Sequence, residues 1–418
     1  MLALIATLAG SLIAPIPGDP PPRPNVIVIL MDDIGRDKIA CYGEHPAPPP
    51  TPNIDGLRDQ GILFRNAWAY QTCSPTRAAL MTGRYSDRTG IGDIIRAGDG
   101  VDSSLPFAEH ILPEALPGYT STMIGKWHLS DTGSSARHPI ESGFDLYAGY
   151  QGSLNFFNWT QNLNGALSQQ SGYLPVVLGG QVIRTVQHSE SPSFVYYCPG
   201  LAHSPFHAPP PILHSQPSQP QSRITQHLAM VEALDKIVGR VLWHVDLDET
   251  YVFIIGDNGS PATTVTPPFS SMRAKRTMYE GGLRVPFLVA GPGIAAGGEC
   301  TELVHIVDVF ATVRELCGFD APSQGAEDSV SMVPLLMDPT ARGARSFLYA
   351  RAFPNAGVAG PEIRALRTDR YKVIDFVTAG RVELYDLLAD PHEATDLLTQ
   401  APGAGTDQIR DRLLALMP

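Results

Sequence analysis

The chain first becomes patterned at Asn25–Met31, where Val-Ile-Val-Ile-Leu-Met follows a single asparagine. A run that short and that uniformly apolar suits a strand buried on both faces. Comparable runs recur at 120–124, 194–198, 251–255 and 285–290. A different period lies between the third and fourth of them. Ile224, Leu228, Val231, Leu234, Val238, Val241 and Val245 recur three or four residues apart, which predicts an amphipathic helix over 223–245. Strands alternating with helices predict an α/β domain with a large, mostly parallel central sheet. Proline-rich stretches at 46–52 and 205–220 read as ordered surface loops or lids. After about residue 339 the texture changes. Residues 365–376 and 381–385 read as paired strands and 406–416 as a closing amphipathic helix, so a small C-terminal subdomain on an antiparallel sheet is expected. The expected division is a leader over 1–23, a main α/β domain over 24–339 and the subdomain over 340–418.

Polar residues crowd in where the apolar runs stop. Asp32 and Asp33 follow the first run, and Gly125-Lys126-Trp127-His128 follows the second. Pro199-Gly200-Leu201-Ala202-His203 follows the third, and Gly256-Asp257-Asn258-Gly259 the fourth. Ligands of open parallel sheets bind beyond the carboxyl ends of the strands, so these distant clusters are expected to share one pocket. Asp32, Asp33, Asp257 and Asn258 offer only oxygen ligands, which suits a hard cation, Ca²⁺ before Mg²⁺. Three carboxylates crowded together would otherwise repel one another. Taken singly, Asp32-Asp33 also reads as a strand-end turn or helix cap, and Asn258-Gly259-Ser260 as a glycosylation sequon. Lys126, His128, His203 and Lys275 are candidate anion clamps and acid/base groups, whereas His207 reads as structural.

Cys73-Ser74-Pro75-Thr76-Arg77 is the most specific stretch. Ser74 suits an N-cap and Pro75 the first helical position, which predicts a helix through 76–81 and puts Cys73 at its N-terminus. Free N–H groups and the helix dipole favour an anion there. Arg77, one turn on, adds a full charge. By itself the pattern also fits a capped helix with a half-buried cysteine.

These motifs together resemble the type I sulfatases, arylsulfatase-like members of the alkaline phosphatase superfamily. The C-x-P-x-R box at Cys73–Arg77 runs on into Thr82-Gly83-Arg84. Gly125-Lys126-Trp127-His128-Leu129 is similar to the family's second signature. Asp32-Asp33, His203-Ser204-Pro205, Lys275-Arg276-Thr277-Met278-Tyr279-Glu280-Gly281-Gly282 and Glu383-Leu384-Tyr385-Asp386 match further blocks in order. Thr76 stands where the box usually has serine, Ser130 where glycine commonly follows the second signature, and Ser86 where proline is common. The resemblance implies an alkaline-phosphatase-like α/β sandwich and hydrolysis of a sulfate monoester of a small molecule or saccharide. It implies that a formylglycine-generating enzyme converts Cys73 to Cα-formylglycine, whose hydrate supplies the nucleophile. It implies Ca²⁺ on Asp32, Asp33, Asp257, Asn258 and residue 73, with Arg77 and Lys126 stabilising the hydrate and its sulfate. His203 and Lys275 would contact sulfate and protonate the leaving oxygen, and His128 would help release sulfate. A phosphonate or phosphate ester hydrolase of the same superfamily, a silent sulfate-ester-binding protein and a thiol enzyme acting through Cys73 itself are the competing readings.

Bulk properties narrow this further. With 418 residues, 43% of them hydrophobic, the chain can bury a large core. A formal charge of −12 without a long basic run argues against a nucleic-acid partner. Five cysteines lack any C-x-x-C pair, which argues against zinc and thioredoxin chemistry. The apolar stretch over 1–16 is shorter than the roughly 20 residues of a membrane span. It reads as a signal core for a periplasmic or secreted protein, the alternative being a folded domain that begins near Arg23.

Overall fold

The computed structural model describes residues 23–418, except 132–134, 152–153, 190–191, 218–221, 321–323 and 401. The expected leader therefore lies almost wholly outside the described residues. Ten strands form the main sheet: β1 (Asn25–Met31), β2 (Gly61–Trp68), β3 (Thr120–Gly125), β4 (Leu146–Gln151), β5 (Asn158–Leu163), β6 (Ala166–Ser171), β7 (Ser193–Cys198), β8 (Thr250–Gly256), β9 (Phe287–Ala290) and β10 (Gly298–His305). Their order is β10-β2-β9-β8-β1-β7-β3-β4-β5-β6. β1 pairs parallel with both β7 and β8, and β3 pairs parallel with both β7 and β4. Only β9 and β5 run against the rest among the described strands.

Successive side chains of a strand point to opposite faces, and β1 shows why its run is apolar throughout. Val26, Val28 and Leu30 enter one hydrophobic core, and Ile27, Ile29 and Met31 enter the other. The helix Arg223–Leu242 covers the second face with Met230, Val231, Leu234, Ile237, Val238 and Val241. Ser222 starts it with a capping box, since its hydroxyl accepts from Thr225 N–H while the Thr225 hydroxyl accepts from Ser222 N–H. The helix Cys73–Thr82 covers the first face and ends on Gly83, whose φ of 66° is a left-handed cap.

The second sheet is antiparallel, in the order β11 (Leu348–Ala352), β12 (Ile363–Arg367), β13 (Tyr371–Phe376), β14 (Arg381–Asp386). The helix Ala404–Ala415 places Leu413 on Leu366, Val373 and Leu384. Thus the fold is the α/β sandwich with a mostly parallel sheet and a separate small antiparallel one.

Several elements differ in detail from expectation. The helix predicted over 223–245 stops at Leu242, because Trp243 caps it and the chain turns toward β8. The strand expected over 285–290 begins only at Phe287, after Pro286, and runs antiparallel to both neighbours. Residues 365–376 are two strands joined by a tight turn, with Thr368 and Tyr371 bonded across it. β4, β5, β6 and β10 carry too few apolar residues to be found by pattern.

Candidate active site

The sheet order decides the site. The four neighbouring strands β8, β1, β7 and β3 end side by side, with Met31 opposite Gly256 and Gly125 opposite Cys198. The polar residues that follow them therefore emerge together: Asp257 and Asn258, Asp32 and Asp33, His203, then Lys126 and His128. The helix Cys73–Thr82 brings Cys73 and Arg77, and the segment before Glu280 brings Lys275. All ten side chains expected to share a pocket meet here.

Cys73 is the first helical residue and is fully buried. The expected cap is wrong by two residues. Thr72 is the capping residue and Ser74 lies within the helix, where its hydroxyl accepts from Ile95 N–H at 3.1 Å. This tertiary bond engages the hydroxyl that would otherwise serve local capping. Lys126 Nζ and Lys275 Nζ stand 3.6 and 3.5 Å from Cys73 Sγ, and Asp32 Oδ1 stands 3.6 Å from it. Lys126 also donates to Asp32 Oδ2 at 2.6 Å, and Lys275 pairs with Asp33. Arg77 Nη2 reaches Asp257 at 3.3 Å and Asp32 at 3.5 Å, while its Nη1 donates to the Lys126 carbonyl at 2.6 Å.

Burial and charge set the protonation states. Burial alone would raise Asp32, but Lys126, His203, Arg77 and Lys275 outweigh it and hold the carboxyl well below its usual range. Burial, reinforced by Asp32, pushes Asp257 up to about 7 despite Arg77. Burial lowers Lys275, but Asp33 outweighs it and keeps the ammonium charged. The Cys73 thiol is pushed up to about 12 by burial and by Asp257. At neutral pH it is a protonated thiol and a poor nucleophile, which disfavours direct thiol chemistry. Burial and Lys126 hold both His128 and His203 below the ordinary imidazole value.

Ligand atoms of Asp32, Asp33, Cys73 and His203 lie within 4.8 Å of one another. Asp257 and Asn258 stand against that group: Asp257 Oδ1 accepts from Asp33 N–H at 3.0 Å, and Asn258 Nδ2 donates to Asp33 Oδ1 at 2.9 Å. Asn258 Oδ1 is buried without a partner. Such an orphan acceptor calls for a cation or a donor. Asn258 is fully buried, so the glycosylation reading of its sequon fails. His207 bonds the Pro205 carbonyl and the Tyr173 hydroxyl, a structural role.

A cavity of about 270 Å³ opens beside the cluster. Lys126, His128 and His203 line it together with Tyr150, Asp131 and Asn162. The last three come from loops and from the strands that pattern did not reveal, and no local signal marks them. Thr76 also has a positioning role. Its hydroxyl donates to the Asp257 carbonyl at 2.7 Å and accepts from Tyr70 N–H at 2.9 Å, so it ties the helix to the end of β8.

Comparison with known proteins converges on one family. The family model described as Sulfatase matches residues 24–319, and that of the N-sulphoglucosamine sulphohydrolase C-terminal region matches 271–417. Human N-acetylgalactosamine-6-sulfatase is 30% identical over 372 residues, covering 79% of this chain and 69% of its own. Rat arylsulfatase G is 32% identical over 423 residues, covering 86% and 77%. Among solved structures, Ps i-CgsB in complex with k-i-k-neocarrahexaose superposes with a TM-score of 0.81 at 24% identity, covering 93% of this chain and 92% of that one. A protein solved with its substrate D-glucosamine-2-N,6-O-disulfate has a TM-score of 0.76 at 21% identity, covering 94% and 97%.

Proposed function

The chain belongs to the sulfatase family and is a sulfuric ester hydrolase, and on that premise we propose a mechanism for the cluster around residue 73. Cys73 matures to Cα-formylglycine through a formylglycine-generating enzyme. A divalent cation, Ca²⁺ before Mg²⁺, would be held by Asp32, Asp33, Asp257, Asn258 and residue 73. The observation that carries the reading is the approach of Lys126 and Lys275 to Cys73 Sγ, with Asp32 and Asp33 behind them. Cys73 Sγ stands in for the oxygen of the matured residue.

The donor set fits a hard cation: three carboxylates and an amide oxygen without a donor. Those three carboxylates already face Arg77, Lys126 and Lys275. The site is thus close to charge balance, and the single negative charge of a sulfate monoester would offset part of the charge of a divalent cation. The hydrated aldehyde supplies an oxygen nucleophile and the cation supplies Lewis-acid charge.

The chain's own side chains do the rest. Arg77, Lys126 and Lys275 orient the tetrahedral anion and offset its charge. His128 is the base. Its Nε2 faces the Ile95 carbonyl at 3.1 Å, and a carbonyl only accepts, so the ring proton sits on Nε2. The buried, unpartnered Nδ1 is left with a free lone pair. His203 or Lys275 gives the one proton that the leaving oxygen takes up. An entering sulfate counters Lys126 and moves His203 toward its charged form.

The relatives' names and the saccharides bound by the neighbours support a sulfated saccharide as the substrate. A periplasmic or secreted location belongs to the same reading. No helix among the described residues is long and apolar enough to cross a membrane.

Mass spectrometry of the tryptic peptide 66–77, after co-expression with a formylglycine-generating enzyme, tests maturation; an aldehyde at residue 73 is expected. Cys73→Ala is expected to abolish turnover of 4-nitrophenyl sulfate, and full activity in that variant would overturn the mechanism.

A further inference from the structure

Lys275 and Arg276 are consecutive, and their backbones are pinned from two sides. Lys275 N–H donates to the Ser260 carbonyl at 3.0 Å, and Arg276 N–H donates to the Gln71 carbonyl at 2.9 Å. Arg276 takes a left-handed φ of 75°, a conformation that a long side chain adopts only at a cost. The result is that the two cations part company. Lys275 points to Asp33 and Cys73, while Arg276 is exposed and lines a second cavity of about 540 Å³.

This cavity adjoins the first. Arg96 lines both, and Thr72, next to Cys73, lines the second. Its far wall is the connection between β11 and β12, with Phe353 and Asn355. Asn355 accepts from Gly92 N–H and donates to the Asp93 carbonyl, which holds that wall against the catalytic loops.

Two features of the cavity lack partners. Arg96 is neutralised, since its guanidinium pairs with Asp93 at 3.0 Å. Arg276 enters no ion pair among the described residues, although Asp93 and Asp99 also line the cavity. Gln71, 3% exposed, donates through Nε2 to the Gly92 carbonyl, yet its Oε1 is buried with no partner. An exposed guanidinium without an ion pair, in a cavity that adjoins the candidate site, suits a ligand with a second anionic group.

We propose that the cavity between the catalytic loops and the antiparallel sheet binds a second sugar of the substrate, and that Arg276 selects one carrying its own carboxylate or sulfate. The inference deepens the proposed reading and rests on it. The scissile ester lies at residue 73, its sugar occupies the smaller cavity, and the chain continues past Arg96 to Arg276. Arg276 is a specificity residue that touches the substrate away from the reacting atoms.

The test measures binding without turnover. Dissociation constants are read by calorimetry in a Cys73→Ala chain for three sulfated disaccharides that differ only in the second sugar: a uronate, a sulfated hexose and an unsubstituted hexose. The uronate or the sulfated hexose, whichever binds tighter, identifies the anion. A charged partner is expected to bind roughly 10- to 100-fold tighter than the neutral one, as for a charge-assisted hydrogen bond. Adding Arg276→Ala should erase that ratio, and Arg276→Lys should keep part of it. Both variants keep a non-glycine residue at the same φ, so the backbone requirement is unchanged. Equal binding of all three, an equal loss for all three in Arg276→Ala, or no binding of any would overturn the proposal. Turnover of 4-nitrophenyl sulfate by the unsubstituted enzyme, run in parallel, decides the reading of the catalytic site separately.

Discussion

Glu280 joins the two sheets, and its removal should be among the costliest single changes in the chain. Its carboxylate is 1% exposed. Oε1 accepts from Trp68 Nε1 and from Lys372 Nζ, each at 3.1 Å, and Oε2 accepts from Arg367 Nη1 at 2.8 Å. Arg284 Nε stands 3.5 Å away. Trp68 and Arg284 belong to the large sheet and its margin, whereas Arg367 and Lys372 belong to β12 and β13. Glu393, 2.7 Å from Lys372, shares the same buried cations. Glu280→Gln keeps the shape and removes the charge, leaving Arg367 and Lys372 buried with half their compensation. Breaking a buried pair in this way costs about 3–5 kcal/mol. The control is Glu299→Gln, which disrupts the exposed Arg65–Glu299 pair and should cost only about 0.2–1 kcal/mol. Urea unfolding followed by tryptophan fluorescence suits the comparison, because Trp68 bonds Glu280 directly. The pH dependence follows from the same contacts. Burial alone would raise Glu280, but Arg367 and Lys372 outweigh it and hold the carboxyl well below its ordinary value. A depressed folded-state value means the stabilisation is complete above the unfolded value of about 4.3 and is lost as pH falls below it. The difference between the parent and Glu280→Gln should therefore be flat from pH 6 to 8. A midpoint shift no larger than that of Glu299→Gln would refute the reasoning.

Other consequences are equally direct. Thr76→Ala removes both bonds that tie the helix of Cys73 to Tyr70 and Asp257 and should cost about 1–3 kcal/mol by urea unfolding, while Thr76→Ser should retain nearly all of it. Gly125 has φ 103°, and a Cβ there would lie 1.9 Å from the Cys198 carbonyl oxygen, so Gly125→Ala should displace Lys126 and sharply reduce soluble, active protein. Burial holds His138 down to about 4 although Glu141 opposes it, and Trp127 Nε1 donates to its Nδ1. Its stabilisation is present above the unfolded value of about 6.5 and is lost as pH falls toward 4. Thermal unfolding across that window should lose less stability in His138→Gln than in the parent.

Much of this protein was legible in one dimension. The strands β1, β7 and β8 are buried on both faces, so after a polar first residue they are almost uniformly apolar and stand out, whereas β3 shows the pattern only weakly because it opens with Thr120, Ser121 and Thr122. The residues just beyond them are polar because a sheet end that faces a ligand cannot be apolar, and this points to seven of the ten candidate residues before any geometry, while Cys73, Arg77 and Lys275 rest on their own motifs and the family resemblance. Elements whose stability comes from neighbours were not legible. β6 (Ala-Leu-Ser-Gln-Gln-Ser) is a strand because β5 pairs with it, and nothing in its own composition requires that. Ser74 shows the same limit, since a hydroxyl that would cap its own helix instead accepts from Ile95, 21 residues away. The order β8-β1-β7-β3, which makes four separate clusters into one pocket, is a property of pairing between distant segments. So is the divergence of Lys275 and Arg276, set by bonds to Ser260 and Gln71. Local composition determined which residues could take part in the chemistry. Long-range hydrogen bonding decided which atoms of those residues face one another.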